Sequence, residues 1–328
     1  MDIGRNLQYY KGMAVKTFLS FAEALVSLFG NSVAIARTDR VSGGDINRAY
    51  ALTLNTGDKI FMKANAKENA GFFTAEALGL EAIAKTGAIK TPKVLCAGTD
   101  DGEEVGYSFL LLEFIQSAPK KSGYWEEFGR ALAAMHSAKT EIGGVTENGA
   151  NEGTTKIEGA ARFGFFENNY IGARPQNNTP CASWIEFFRE RRLAPQFKAA
   201  DSWFDSADRK KISRLLDRLD SFLVEPQSPS LLHGDLWSGN AMPAADGSPM
   251  LIDPACYVGH AEADLAMTQL FGGFPPNFYE AYKEARPLQD GWKERLDLYN
   301  LYQLLNHLNL FGASYLGAVK SVVDEYAG

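Results

Sequence analysis

One stretch limits what this chain can be more than any other: Leu231-Leu232-His233-Gly234-Asp235-Leu236-Trp237-Ser238-Gly239-Asn240, followed after a short turn by Leu251-Ile252-Asp253-Pro254. An apolar pair running into His-Gly-Asp is expected where a short strand ends in a tight loop that glycine permits. That lifts Asp235 out of the core. Asn240 follows with four residues between, and Asp253 closes a second apolar stub, Met250-Leu251-Ile252, with residues 244–249 as a hairpin-like turn between the stubs. The expectation is that three oxygen-bearing side chains converge at the ends of two paired strands.

Those side chains suit phosphoryl transfer, which needs a carboxylate to deprotonate the acceptor hydroxyl and hard oxygen ligands for Mg²⁺. Asp-x4-Asn with a downstream Asp is the kinase arrangement. It makes Asp235 the catalytic base, Asn240 and Asp253 the metal ligands, and ATP with Mg²⁺ the cofactors. An arginine stands before this aspartate in protein kinases, where it reads a phosphorylated activation loop; Gly234 stands there in this chain. Asp-Pro-Ala likewise replaces Asp-Phe-Gly and removes the switchable hydrophobic plug. The pattern therefore points to a constitutively assembled small-molecule kinase. His233 is expected to brace the loop from the core and to take no part in the chemistry.

Upstream, a strand over 33–39 is followed by Gly43-Gly44, adjacent glycines whose backbone can approach a phosphate closely. Residues 50–54 and 59–64 read as a hairpin around Asn55-Thr56-Gly57-Asp58. Alternation places Ile60 and Met62 on one face of its second strand and Phe61 and Lys63 on the other. A lysine beside Phe61 is either a snorkelling edge residue or the partner of the nucleotide α/β-phosphates. The helix expected over 69–85 favours the second reading. It sets Glu76 among Phe72, Leu80 and Ile83, where a carboxylate is costly unless paired, and Lys63 is available; Glu81, off that stripe, is the lesser candidate.

A continuous apolar strand over 107–115 then ends near Glu113, a natural hinge, and Glu113, Phe114 and Ile115 are the expected backbone contacts to adenine. Helices are expected over 125–139, 183–199, 207–223, 278–285 and 292–311, with a loop over 141–159. His136 falls at core spacing. With 328 residues, 45% hydrophobic and 22% charged, the chain fits two globular lobes, residues 1–115 and 116–328.

A formal charge of -7 without a Lys/Arg-rich stripe argues against nucleic acid. Residues 1–30 read as an amphipathic helix interrupted by Glu23, not as a signal peptide, and no apolar run approaches the roughly 18 residues of a membrane span. Three scattered cysteines, Cys96, Cys181 and Cys256, suit reduced thiols in a cytoplasmic protein.

His-Gly-Asp-Leu-Trp-Ser-Gly-Asn, then Asp253-Pro-Ala-Cys-Tyr-Val-Gly-His-Ala-Glu-Ala-Asp-Leu-Ala, Phe271-Gly-Gly-Phe and Leu301-Tyr-Gln-Leu-Leu-Asn-His-Leu-Asn-Leu-Phe-Gly together resemble the fructosamine kinase (ketosamine 3-kinase) family over nearly the whole chain. Trp237 and the carboxy-terminal block set that family apart from the aminoglycoside and choline kinases that share His-Gly-Asp. The resemblance implies an α+β, protein-kinase-like two-lobed fold, with a small amino-terminal antiparallel sheet plus helix and a larger, mostly helical carboxy-terminal lobe. It implies ATP-dependent phosphorylation of a small-molecule or protein-bound ketosamine on its 3-hydroxyl, after which the adduct falls apart and frees the amine. It also places Asp264 as a brace for the catalytic loop. Trp237, Trp292 and His307 are candidate sugar contacts. The rival readings are a kinase of an aminoglycoside, choline or methylthioribose, and a nucleotide-binding pseudokinase. Oligomeric state is left open.

Overall fold

The computed structural model describes residues 15–42, 46–102, 105–139 and 162–327, in two compact units: Met1–Tyr124 with Ala241–Ala255, and Trp125–Asn240 with Cys256–Gly328. Gly43, Gly44 and the loop expected over 141–159 lie outside the described residues.

The first unit is built on one six-stranded sheet. The chain enters it through β1 (Thr17–Phe18), then forms α1 (Phe21–Phe29), β2 (Ile35–Val41), β3 (Arg48–Leu54), β4 (Lys59–Ala66), α2 (Ala70–Lys85), β5 (Val94–Asp100) and β6 (Tyr107–Glu113), with spatial strand order β1-β5-β6-β4-β3-β2. All neighbours are antiparallel except β1, which runs parallel to β5 at the edge. So the amphipathic helix expected over 1–30 is, in its described part, a two-residue strand and then a shorter helix. Ser20 starts that helix by accepting the Glu23 N–H at 3.4 Å. A strand of two residues has no period for a sequence to betray.

The alternation along β4 is kept. Ile60 and Met62 join Ala24 and Leu25 of α1 in one core; Phe61 packs with Phe73, Ala77 and Leu80 of α2 in the other. On α2 the buried stripe is Phe73, Glu76, Ala77, Leu80 and Ile83. Phe73 is fully buried and the expected Phe72 only partly so, because the i, i+3, i+4, i+7 face that carries Glu76 runs through position 73.

The second unit is mostly helical. It contains α3 (Tyr124–Ser137), a small hairpin of β7 (Asn169–Ile171) and β8 (Arg174–Gln176), and a helical stretch of α4 (Trp184–Phe187), a π-helical segment (Phe188–Leu193) and α5 (Ala194–Ala199). Pro195 accounts for the irregularity. It has no N–H to return to the Arg191 carbonyl, and Arg192 Nη1 donates to that oxygen instead, at 3.2 Å. Next come α6 (Ser206–Asp217), closed at its start by a reciprocal Asp205–Asp208 cap, and β9 (Ser230–Leu232). The hairpin of β10 (Ala241–Pro243) and β11 (Pro249–Leu251) belongs to the first unit. The chain finishes with β12 (Tyr257–Gly259), α7 (Glu262–Leu270), α8 (Pro276–Ala285), α9 (Leu296–Phe311) and α10 (Leu316–Ala327).

Three expectations are corrected here. β9 does not pair with the stub before Asp253; it pairs with β12, while β11 pairs with β10. The helix expected from 292 begins at Leu296, after a turn-rich segment. It is also not the last: Gly312, at φ +88°, ends α9 and lets the chain turn into α10. The close approach of α3 to α8 depends on Gly129, where a Cβ would come within 2.2 Å of the Phe278 carbonyl oxygen. Phe128 then packs edge-on against Phe278 at 5.3 Å. Among the described residues no helix is long and apolar enough to cross a membrane.

Candidate functional site

In the first unit the site residues gather around Lys63. Its position on β4 turns it toward α2, and its ammonium donates to Glu76 Oε1 at 2.7 Å and to Asp253 Oδ1. Lys63 and Glu76 are both buried, 7% and 9% exposed. A pair this deep must carry its own compensation. Burial alone would depress the Lys63 pKa, but the Asp253 and Glu76 charges overrule it and raise it above the usual lysine range. Glu76 is pushed up to about 7 by burial, with Asp253 adding to the rise and Lys63 opposing it. Asp253 is, among the described residues, the non-glycine residue at positive φ (+55°), a backbone state that persists only where the surroundings impose it. Two of the five residues proposed for the chemistry thus meet a third where the sequence predicted only a pair.

The hinge residues lie at the end of β6. The Glu113 N–H donates to the Lys93 carbonyl at 2.9 Å, so it is already committed. Phe114 and Ile115 are half-buried, and the Phe114 ring lies 5.5 Å from the Lys59 ammonium.

In the second unit the fully buried strand β9 delivers the chain to Gly234, whose φ of +81° makes the turn. Asp264 then pins the loop, its two oxygens accepting the N–H groups of His233 at 2.7 Å and Gly234 at 2.9 Å. From the other side Gln303 Nε2 donates to the Gly234 carbonyl at 2.9 Å. His233 is fully buried and its Nδ1 accepts the Asp235 N–H at 3.3 Å, a brace as expected. Asn240 Nδ2 donates to both Asp235 Oδ2 (2.9 Å) and the Asp235 carbonyl (2.8 Å). Asp235 and the amide expected beside it therefore touch.

Beneath the loop, His136 is more than core filler. Its Nε2 lies 3.1 Å from Asp264 Oδ2 and its Nδ1 2.8 Å from the Tyr282 hydroxyl. Burial lowers the His136 pKa, so the neutral ring donates to Asp264 and accepts from Tyr282. For Asp264, burial works to raise the pKa, but the hydrogen bonds from His136 and from the Gly234 N–H bring it below the ordinary value. Gln303 and Tyr282 carried no mark in the sequence: Gln303 sits in an apolar helical run and Tyr282 on an amphipathic helix, each far along the chain from residue 235.

Two of the three candidate sugar contacts come together. Trp237, 38% exposed, packs 6.3 Å from Phe271, whose ring lies 4.9 Å from His307. Gly239 makes room for that indole, which a Cβ there would meet at 2.3 Å. His307 donates its Nδ1–H to the Gln303 carbonyl at 2.8 Å. Trp292 is elsewhere, before the start of α9, among Pro287, Asp290 and Lys293. Eleven positions of helix between 296 and 307 amount to about 16 Å of rise between the start of α9 and His307.

Asn240 spends its Nδ2 on Asp235 and keeps Oδ1, and Asp253, its side chain 40% exposed, gives only Oδ1 to Lys63. Among the described residues no group of three or more His, Cys, Asp or Glu could hold a metal.

The family model for fructosamine kinase matches residues 18–327. A Synechocystis protein described as a probable ketoamine kinase is 38% identical over 307 residues, 93% of this chain and 95% of its own. The chloroplastic protein-ribulosamine 3-kinase of Arabidopsis thaliana is 39% identical over 302 residues, 90% of this chain and 84% of its own. Among solved structures, a protein from Haemophilus somnus described as a fructosamine-3-kinase superposes with a TM-score of 0.77 at 28% identity, covering 94% of this chain and 96% of that one. By sequence over nearly its whole length, and by a kinase-like α+β fold, the chain belongs to the fructosamine kinase family of phosphotransferases.

Proposed function

We propose that this protein transfers the γ-phosphoryl group of ATP to the 3-hydroxyl of a ketosamine, the adduct of a sugar with an amine. The observation that carries the reading is the Asp235–Asn240 contact at 2.9 Å, held at the end of β9 by a loop fastened to Asp264 and Gln303. A carboxylate fixed in this way can take the proton of an acceptor hydroxyl as the bond to phosphorus forms. Asn240 orients Asp235 through Nδ2 and offers Oδ1 to Mg²⁺. Asp253 offers its remaining oxygen, and Lys63, aligned by Glu76, supplies positive charge for the nucleotide phosphates. Bound Mg²⁺ would neutralise phosphate charge as it develops. On the nucleotide side, Glu113, Phe114 and Ile115 are the adenine contacts we propose. The Glu113 N–H is spoken for, so donation falls to Ile115, whose N–H makes no hydrogen bond among the described residues.

On the acceptor side, Trp237 and His307 are the sugar contacts that support the reading. The neutral His307 ring, its pKa lowered by burial, keeps Nε2 as an acceptor. We leave Trp292 out of this group. The names of the relatives support a ketosamine as acceptor and an amine-releasing repair role. Free thiols at Cys96, Cys181 and Cys256 support a reducing compartment such as the cytoplasm.

The experiment is ATP consumption with lysine adducts derived from ribulose, erythrulose and fructose, beside an aminoglycoside and choline. Turnover confined to the adducts is the expected result. Turnover of the aminoglycoside or choline alone would replace the reading with another small-molecule kinase, and none with any acceptor would favour a nucleotide-binding pseudokinase.

A further inference from the structure

Five rings of the second unit form a continuous row that starts at the catalytic loop. Trp237, two residues past Asp235, lies 6.3 Å from Phe271, and Phe271 lies 4.9 Å from His307. His307 in turn is 5.4 Å from Phe311 and 5.1 Å from Tyr315. Trp237 is 38% exposed and Phe311 51%, while Phe271, His307 and Tyr315 are half-buried. Helical spacing gives the row its direction. Gln303, which holds the Gly234 carbonyl, is followed at intervals of four on α9 by His307 and Phe311, so the three share a face. Eight positions carry that face about 12 Å along the helix, away from the Gly234 loop. Gly312, at φ +88°, then turns the chain, and the single 3-10 turn Ala313–Tyr315 sets Tyr315 against His307.

Neighbouring apolar rings that stay in water are unfavourable unless something covers them, and such patches mark binding surfaces. No member of the row carries a charge near pH 7, because burial lowers the His307 pKa and keeps that ring neutral. Ring faces of this kind take flat or branched apolar groups and organic cations. The acceptor in the proposed reaction offers both. Its 3-hydroxyl stands at Asp235, and a few bonds away is a secondary amine, protonated at neutral pH, that bears whatever group the original amine carried. The carbon chain of a pentose is shorter than the row. A sugar placed against Trp237 and His307 therefore leaves Phe311 and Tyr315 to the group on the nitrogen.

We infer that Phe311 and Tyr315, continued inward by Phe271, bind the apolar substituent on the ketosamine nitrogen and so select which glycated amines this protein accepts. Adducts with an aromatic or branched apolar group near the nitrogen are preferred over adducts with none. This choice of amine rests on the ketosamine reading and extends it from the sugar to the other half of the acceptor. Phe311, half in solvent at the end of α9, can lose its ring without opening the core.

The test is steady-state kinetics of the full-length protein with ATP and the ribulose adducts of methylamine and of benzylamine, which differ by one phenyl ring. The benzylamine adduct should show a KM lower by about tenfold, the worth of covering a phenyl group with other rings, with similar kcat for both. Phe311→Ala should bring the ratio of the two KM values close to one, and Tyr315→Ala should reduce it in part. A purely structural role for Phe311 would shift both KM values together and keep their ratio, which overturns the inference, as equal KM values in the wild type would. Turnover of neither adduct would count against the ketosamine reading, and calorimetry without ATP would then decide the row. Tighter binding of the benzylamine adduct, lost in Phe311→Ala, supports it, and equal binding overturns it. A dimer in sedimentation that Phe311→Ala dissociates would assign the row to a second copy of this chain and overturn the inference as well.

Discussion

The Lys63–Glu76–Asp253 group and the Asp264–His136–Tyr282 group are both buried polar networks, and they are balanced in opposite ways. The first sets one cation against two carboxylates, and Glu76 is left with a pKa of about 7 because burial and Asp253 outweigh Lys63. The second has one carboxylate met by two backbone N–H groups and a neutral histidine, and Asp264 stays below its ordinary value. Fixed backbone donors hold a geometry. Mobile charges respond when another charge arrives, as nucleotide phosphates and Mg²⁺ would. The contrast separates a group whose charges are out of balance from a group that keeps the Gly234 loop in place.

Four substitutions break or sharpen that contrast. Asp235→Asn, at the loop the second network supports, should lower kcat by roughly 10²–10⁴-fold, the worth of a positioned proton acceptor, with a urea midpoint near wild type; wild-type turnover would remove Asp235 from its role. Asp264→Ala leaves two buried N–H groups and His136 without their acceptor, and should cost about 3–5 kcal/mol in urea unfolding. A loss below about 1 kcal/mol would mean that the loop is held elsewhere. Lys63→Ala should weaken ATP binding by about tenfold, as loss of a charge-assisted contact does; unchanged affinity by calorimetry would argue against Lys63 as the phosphate contact.

The smallest effect is in pH dependence, and there the two networks have opposite signs. The folded pKa of Glu76 lies above its ordinary 4.5, so the folded state binds more protons between there and about 7, and stability falls as pH rises through that window. His136, depressed below 6.5 by burial, acts the other way: the unfolded state takes up the proton, and stability falls as pH drops below 6.5. Urea midpoints measured from pH 5 to 7.5 should therefore fall more steeply with rising pH in the wild type than in Glu76→Gln. Parallel curves would show that Glu76 does not titrate in that range.

Much of the first network was legible because local periodicity fixes faces. Two-residue alternation put Lys63 opposite Ile60 and Met62, and helical spacing put Glu76 in an apolar stripe, so each charge needed a partner and the pair followed. The same logic missed by one residue at Phe72, where the stripe runs through Phe73. The second network was legible only in part. His-Gly-Asp and Asn240 announced themselves through spacing, but β9 pairs with β12 across residues that carry no pairing signal, not with the stub that local sequence suggested. His136 read as a core residue since a packed histidine and a hydrogen-bonded one have the same position on a helix.

The sequence by itself determined the residue types and spacings of a phosphotransferase, the two alternating faces of β4, the buried carboxylate on α2, and the family. These depend on periods of two or 3.6 residues and on short motifs, all local properties of a chain. Only the tertiary structure decided that Asp253 shares Lys63 with Glu76, that Gln303 and Asp264 hold the Gly234 loop, and that Trp292 stands apart from His307. The contacts of Lys63 with Asp253 and of Gly234 with Asp264 and Gln303 join segments 30 to 190 residues apart, which no local pattern encodes because packing selects the partner.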